Sequence, residues 1–188
     1  MNSLDTDLEE AVELLKSGKP VVMPTETVYG LAANAISATA AASIFAVKNR
    51  PSDNPLIVHI SSMDMLKQVV ALDGNGEPVI PSCLRPVLDR FWPGPLTVLL
   101  PRNDRVPLEV TGGLETVAVR FPRHPIAKAL IEKCGLPLAA PSANLSGRPS
   151  PTCAEHVFDD LNGRVELILD GGKSSYGFES TVLNALCD

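Results

Sequence analysis

Thr116-Val117-Ala118-Val119-Arg120-Phe121-Pro122 is followed by Ile126-Ala127-Lys128-Ala129-Leu130-Ile131-Glu132-Lys133-Cys134, and then by Gly135-Leu136-Pro137-Leu138-Ala139-Ala140. The first run is apolar and β-branched, so it predicts a strand over 117–120 that stops at Pro122. In the second, Ile126, Leu130 and Cys134 repeat at helical spacing with charges opposite, which predicts an amphipathic helix ended by Gly135. The third predicts a short apolar strand over 137–140. A strand, a helix and a strand in this order point to an α/β layered domain.

The same alternation extends outward. Thr6 and Glu9 have capping-box spacing, Leu8, Val12 and Leu15 form one stripe, and Gly18 stops the first helix. A buried strand over 19–23 runs into Pro24. Ser37 caps an alanine-rich helix to 47, a strand covers 56–60, and helices cover 62–70 and 81–91. Trp92-Pro93-Gly94-Pro95 is a turn that no helix or strand crosses. A strand at 96–100 leads into a Pro- and Gly-containing loop before the quoted segment. Thr152-x-x-Glu155 caps a helix to 161, and strands follow at 165–169 and 181–183. The apolar strands read as covered on both faces, yet several connections are short enough for antiparallel neighbours. The expectation is therefore one domain over 1–188, with flanking helices on a twisted mixed sheet. No internal repeat, low-complexity tract or linker interrupts it.

At 188 residues, 45% of them hydrophobic and 20% charged, the composition is that of a globular protein and not of a disordered one. The longest apolar runs, such as 56–60 and 96–100, are far too short to span a membrane. The acidic start lacks the basic and apolar regions of a signal peptide. Cys83, Cys134, Cys153 and Cys187 lie far apart, with no zinc spacing, so reduced thiols and a cytoplasmic setting are expected, with no protein-bound metal. A net charge of −6 with 4% aromatics argues against a dedicated nucleic-acid binder. The stretch from Lys48 to Arg148 is different, with twelve Lys and Arg against nine Asp and Glu. A mildly basic middle in an acidic protein suggests a local anion site.

Common phosphate and hydrolase motifs are missing. There is no Gly-x-Gly-x-x-Gly, no His-Glu-x-x-His and no Gly-x-Ser-x-Gly. Gly171-Gly172-Lys173-Ser174 imitates the end of a P-loop, but position 167, where the first glycine belongs, is Leu. Four polar clusters stand instead at the ends of apolar strands, where open α/β sheets bind ligands. Pro24-Thr25-Glu26-Thr27-Val28-Tyr29-Gly30 offers two hydroxyls and a carboxylate, for a small polar ligand or for its own turn. Lys48-Asn49-Arg50-Pro51-Ser52-Asp53-Asn54-Pro55 pairs a point charge with a planar fork in a proline-stiffened loop, and His59 follows on the next strand. The plain alternative is a solvated basic helix end. Arg120 ends an apolar strand, either to receive a carboxylate or to make a structural ion pair. Residues 140–150, Ala140-Pro141-Ser142-Ala143-Asn144-Leu145-Ser146-Gly147-Arg148-Pro149-Ser150, are dense in hydroxyls, amides and backbone N–H groups that would wrap phosphate oxygens, or form an ordinary Ser/Asn turn.

Taken together, these blocks carry a resemblance. Pro24 to Leu31, Lys48-x-Arg50 with Asn54-Pro55-Leu56, Trp92-Pro93-Gly94-Pro95-Leu96-Thr97, Val119-Arg120-Phe121-Pro122, Ser142-Ala143-Asn144-x-Ser146-Gly147 and Glu179-Ser180-Thr181-Val182 occur in order. The sequence resembles the YrdC-like domain of L-threonylcarbamoyladenylate synthases, from about residue 8 to 186, and looks most like the two-domain members. The resemblance implies a YrdC-like fold with a basic concave face. It also implies a nucleotidyltransferase that joins L-threonine, bicarbonate and ATP, with magnesium, into threonylcarbamoyl-AMP and pyrophosphate. The product would serve N6-threonylcarbamoyladenosine formation in tRNA, which makes tRNA or its threonylcarbamoyl-transfer machinery a possible partner.

By the same resemblance, Lys48, Arg50, Asn54, Thr116, Ser142, Asn144 and Ser150 would bind ATP, with Lys48 and Arg50 acting in catalysis. Thr27, His59, Arg120, Ala140 (through its backbone) and Ser180 would hold L-threonine. Members of the family continue past this point with an Arg-Pro-Gly segment on the nucleotide side and, in two-domain members, a second domain. Residues 1–188 are thus expected to be the catalytic domain without those parts. The competing readings are a non-catalytic RNA-binding module of the same fold and the carbamoyltransferase domain of a larger protein.

Overall fold

Alternation along one strand sets the layout. On the strand Thr116–Arg120 (β5), Val117 and Val119 face one way and are buried, while Thr116, Ala118 and Arg120 face the other. The computed structural model describes residues 3–185. Around β5 it builds a seven-stranded sheet in the order β1-β2-β6-β3-β5-β4-β7. The other strands are Val21–Met23 (β1), Gly30–Asn34 (β2), Ile57–His59 (β3), Leu96–Pro101 (β4), Leu138–Ala139 (β6) and Thr181–Leu183 (β7). β3 runs parallel to β5, and β4 to β7; the remaining pairs are antiparallel. The mixed sheet expected from the sequence is therefore present, in one domain.

Helices surround this sheet. Ser3–Lys16 (α1) packs on Pro125–Cys134 (α6) and on β2, while Ala38–Lys48 (α2) packs on β2 and on Leu108–Thr111 (α5). Met63–Leu66 (α3), Arg85–Phe91 (α4) and Ala154–Leu161 (α7) complete the set. α2 starts at its expected cap, where the Ser37 hydroxyl accepts the Ala40 N–H.

Register decides what shares a face with Arg120. His59 on β3 and Thr97 on β4 sit directly beside it, and Ile57 sits beside Ala118. On β6, Leu138 is opposite His59, so Ala140 and Ser142, two and four residues on, return to the same side. Gly30 then bridges to Ser142. Val58, Val98 and Val119 point to the other face and are fully buried. One side of the sheet is thus core, and the other carries the polar clusters.

Several expectations change. β2 was not foreseen, because Gly-Leu-Ala-Ala-Asn has low strand propensity and its small residues forecast nothing. It forms because it is paired on both sides, by β1 and β6. The apolar run 165–169 makes only an isolated bridge, Ile168 to Val22. The helix expected over 62–70 is a single four-residue turn, and α5 lies in what reads as a loop. α1 begins at Ser3, upstream of the Thr6 cap. Cys153, without a side-chain cap bond, takes the N-cap of α7, since the Thr152 carbonyl is held by the Ser174 N–H at 2.8 Å. Residues 186–188, including Cys187, lie outside the described residues.

Gly112 is the residue on which the loop before β3 rests. It closes α5 with φ +61°, and a Cβ there would lie 2.6 Å from the Asp53 carbonyl oxygen. Both effects oppose a side chain. Gly112→Ala is expected to cost roughly 1–3 kcal/mol, read as a lower urea midpoint at unchanged slope; an unchanged midpoint refutes this role.

Candidate active site

The expected site residues fall into two groups, one at each end of β5. Arg120 ends the strand and Thr116 begins it, four residues or about 13 Å away. The elements at the Arg120 end supply His59, Thr27, Ala140 and Ser180; those at the other end supply Arg50, Asn54 and Lys48.

Arg120 is 3% exposed and surrounded by acceptors. Its NH1 donates to the Thr27 hydroxyl at 2.7 Å and its Nε to the Gly94 carbonyl at 3.4 Å. Its NH2 lies 2.8 Å from Glu26 Oε1, an ion pair in which both side chains are buried. That contact has ion-pair distance without aligned N–H geometry, so NH2 and Oε1 also count as buried atoms with no hydrogen-bond partner. The distance is the firmer statement, because two opposite charges this close attract at any N–H orientation. NH2 therefore keeps donor capacity beyond this contact. Glu26 uses Oε2 to accept the backbone N–H groups of Arg123 and His124. Burial alone would raise the Glu26 carboxyl, but Arg120 and these donors outweigh it and hold it below the usual range.

Hydroxyl directions follow from the partners. Thr25 donates to the Val28 carbonyl at 2.7 Å, so Thr27 donates to Thr25 at 2.9 Å and accepts from Arg120. His59 is buried, and burial followed by the Arg120 charge pushes it down to about 3. It is neutral at physiological pH. Its Nδ1 lies 3.2 Å from the Ile57 carbonyl, a contact that the tautomer protonated at Nδ1 satisfies. The Ser180 hydroxyl pairs with Thr97 at 2.7 Å. Thr25, Val28, Gly30, Ile57, His59 and Arg120 share a cavity of about 30 Å³ with Ala140, Ser142 and Glu179. Size would have pointed elsewhere: a groove of about 470 Å³ between α1 and Lys133 contains none of these residues.

At the other end, Lys48 is 1% exposed and donates to the carbonyls of Ser142 and Asn144 and, at 3.2 Å, to Asn144 Oδ1. Burial, with help from Arg50, brings its ammonium down to about 8, against opposing pulls from Glu179 and Asp160. It stays protonated at neutral pH. Arg50 donates to the Pro55 carbonyl at 3.3 Å, while its Nε is buried without a partner. Neither cation has an ion pair among the described residues. Asn54 is exposed on the same loop, and Thr116 is half-buried. Ser150 donates to Glu179 at 2.6 Å.

The loop 142–148 corrects one expectation. The N–H groups of Ala143, Leu145, Ser146 and Arg148 are already bonded to Tyr29, Asp160, Lys48 and Leu145, so the loop offers side chains more than backbone donors. Arg148 likewise turns away, to Asp160 at 2.6 Å. Gly171 and Gly172 do not form a P-loop: their backbone is tied to the Tyr29 hydroxyl, and burial pushes that phenol up to about 12.

The chain is similar to known proteins. A model of the Sua5/YciO/YrdC family, described as "Telomere recombination", matches residues 13–188. The chain belongs to this family. The Schizosaccharomyces pombe threonylcarbamoyl-AMP synthase is 49% identical over 96% of this chain and 48% of its own length. The Pyrococcus abyssi threonylcarbamoyl-AMP synthase is 52% identical over 93% of this chain and 49% of its own. A crystal structure of P. abyssi Sua5 complexed with L-threonine superposes with a TM-score of 0.89 at 50% identity, covering 94% of this chain and 50% of that one. The chain spans about half the length of the curated relatives it matches. Two side chains near these residues do not stand out in the sequence: Glu179, inside a quoted block, and Asp160, on α7 with no local signal.

His59 gives a pH signature. Unfolded, it takes up a proton near pH 6.5; folded, it resists until about 3. Between those values the unfolded state binds more protons, so stability falls as pH falls, by at most about 1.4 kcal/mol per unit. His59→Gln is expected to flatten the melting-temperature profile between pH 6.5 and 4 relative to the parent. Identical slopes in the two proteins would contradict a buried, neutral His59.

Proposed function

We propose that this chain is the catalytic domain of an L-threonylcarbamoyladenylate synthase, forming threonylcarbamoyl-AMP and pyrophosphate from L-threonine, bicarbonate and ATP. The observation that carries the reading is the gathering, on one sheet face, of a small cavity around Arg120 and of two cations, Lys48 and Arg50, that have no ion pair among the described residues. The likeness to threonylcarbamoyl-AMP synthases and to a Sua5 complexed with L-threonine supports it.

In this reading, Arg120 NH2 takes the carboxylate of threonine, and Thr27, His59, Ser180 and the Ala140 backbone hold the rest. The enclosed 30 Å³ has room for about two water molecules. The amino acid therefore fills it and reaches outward past Glu179 toward the ATP. Its amine captures carbon dioxide as a carbamate, whose oxygen attacks the α-phosphorus and displaces pyrophosphate. No protein nucleophile is needed, so catalysis is positioning plus charge stabilisation. Arg50, with its unpartnered Nε, and Asn54, Thr116, Ser142, Asn144 and Ser150 bind the nucleotide. Lys48 has its three donors on Ser142 and Asn144, so it acts by locking that loop and by its charge. Among the described residues no group of three His, Cys, Asp or Glu side chains gathers to hold a metal. A magnesium ion would arrive on the phosphates of ATP, with Glu179 the carboxylate lining the cavity.

No described helix is long and apolar enough to cross a membrane. A cytoplasmic location and delivery of the product to tRNA, directly or through transfer machinery, complete this reading.

Pyrophosphate release from ATP tests it: release must require both threonine and bicarbonate. ATP left untouched while tRNA binds with steep salt dependence would favour the RNA-binding module instead. Lys48→Ala is expected to lower kcat at least 100-fold, in the range of lost electrostatic stabilisation; near-normal turnover would remove Lys48 from the catalytic set. Arg120→Lys keeps the charge but loses the planar fork. It should raise the KM for threonine more than tenfold and leave the KM for ATP within about twofold, a gap smaller than 1.4 kcal/mol.

A further inference from the structure

Gly30 lies fully buried in β2, a position where glycine weakens a strand. Nothing in its backbone demands glycine, since it is not among the residues with positive φ. Nor does a severe clash. A Cβ built there would stand 3.3 Å from the Ala140 Cβ and 3.6 Å from the Pro141 carbonyl, close contacts but not forbidden ones. What the missing side chain leaves open is the cavity itself, which Gly30 lines together with Val28, Ile57 and Ala140. These four form its apolar corner. Ser142 is the cross-strand neighbour of Gly30, and Arg120 and His59 lie farther along the same sheet face.

A cavity of about 30 Å³ makes this decisive. One methyl group is close to a water molecule in size, so a Cβ at position 30 would take up a large part of the enclosed space. The corner offers no polar partner on Val28, Ile57 or Ala140, so it suits an alkyl branch.

We propose that Gly30 is the specificity-determining residue of the amino-acid cavity, leaving room for the γ-methyl of a β-branched substrate. This rests on the amino-acid site proposed above. The methyl is what separates threonine from serine. A single methyl in an apolar pocket discriminates by about 10- to 200-fold. Gly30→Ala fills the place of that methyl from the protein side. Threonine then loses its fit while serine, lacking the methyl, keeps most of it.

Calorimetric titration of the full chain with L-threonine and with L-serine tests the proposal, because the ratio of the two dissociation constants is insensitive to the fraction of folded protein. The parent should prefer threonine at least tenfold. Gly30→Ala should reduce that preference to less than about threefold, which is under 0.7 kcal/mol, with ATP affinity unchanged. The double variant Gly30→Ala, Ala140→Gly returns the space and should restore the preference, and it serves equally if the single variant folds poorly. An unaltered threonine-to-serine ratio in Gly30→Ala, or a double variant that stays unselective, overturns the role of Gly30. A parent that does not distinguish the two amino acids overturns it as well. A parent that binds neither amino acid instead removes the amino-acid site, and this inference with it.

Discussion

Arg120 and Glu26 meet at 2.8 Å in the interior, and the arrangement around them depends on that pair. Burying either charge alone would cost several kcal/mol, so neither side chain has an alternative to the other. The pair adds little net stability, because desolvation offsets most of the attraction. What it adds is position. Arg120 fixes the end of β5 to the 93–95 turn through Gly94 and to the β1–β2 loop through Thr27. Glu26 fixes that loop to the start of α6 through Arg123 and His124. Its backbone carbonyl accepts the Tyr176 N–H, which draws in the segment leading to Glu179 and Ser180. Sequence segments nearly a hundred residues apart are held to one guanidinium.

This constraint divides the cleft electrically. The Arg120 end is compensated: one cation, one carboxylate and a neutral His59. A zwitterion enters such an environment without leaving a net charge buried. At the Lys48 and Arg50 end no described carboxylate is in ion-pair contact with either cation, although Glu179 lies close enough to act on both and Asp160 on Lys48. A strand of five residues separates the two. The sheet thus sets the distance between these two groups of polar side chains.

Much of this was legible in the sequence, for identifiable reasons. The strands at β3, β4 and β5 have strong apolar runs, and α2 and α6 announce their ends through Ser37, Gly135 and the prolines. Of the residues in the polar clusters at strand ends, His59, Arg120 and Ser142 line one cavity in the structure. β2 was hidden, since its Gly-Leu-Ala-Ala-Asn acquires strand geometry only from neighbours distant in sequence. The apolar run 165–169 misled in the opposite sense, being hydrophobic without a full partner. Arg148 stood in a site-like block yet faces Asp160, because a helix twelve residues later presents a carboxylate that no local pattern reveals. Glu26 was visible as a carboxylate after a strand, but its partner is almost a hundred residues away.

The loop 142–148 differs from a loop made of free glycine backbone. A P-loop presents free N–H groups to phosphate. Here most of the corresponding amides are engaged within the protein, and Asn144 spans Leu145 and Arg148 with its own amide. Lys48 completes the closure by donating to two carbonyls and to the Asn144 side chain, while its own carbonyl accepts the Ser146 N–H. A loop bonded on all sides loses little conformational entropy when a ligand arrives. What it then offers is a fixed set of side chains, Ser142 and Ser150 among them, set against the positive charge of Lys48 and Arg50. A lysine suits the centre of this closure because its three donors radiate from a single point, matching three oxygens converging from one loop. An arginine fork, planar and longer, would push those oxygens apart.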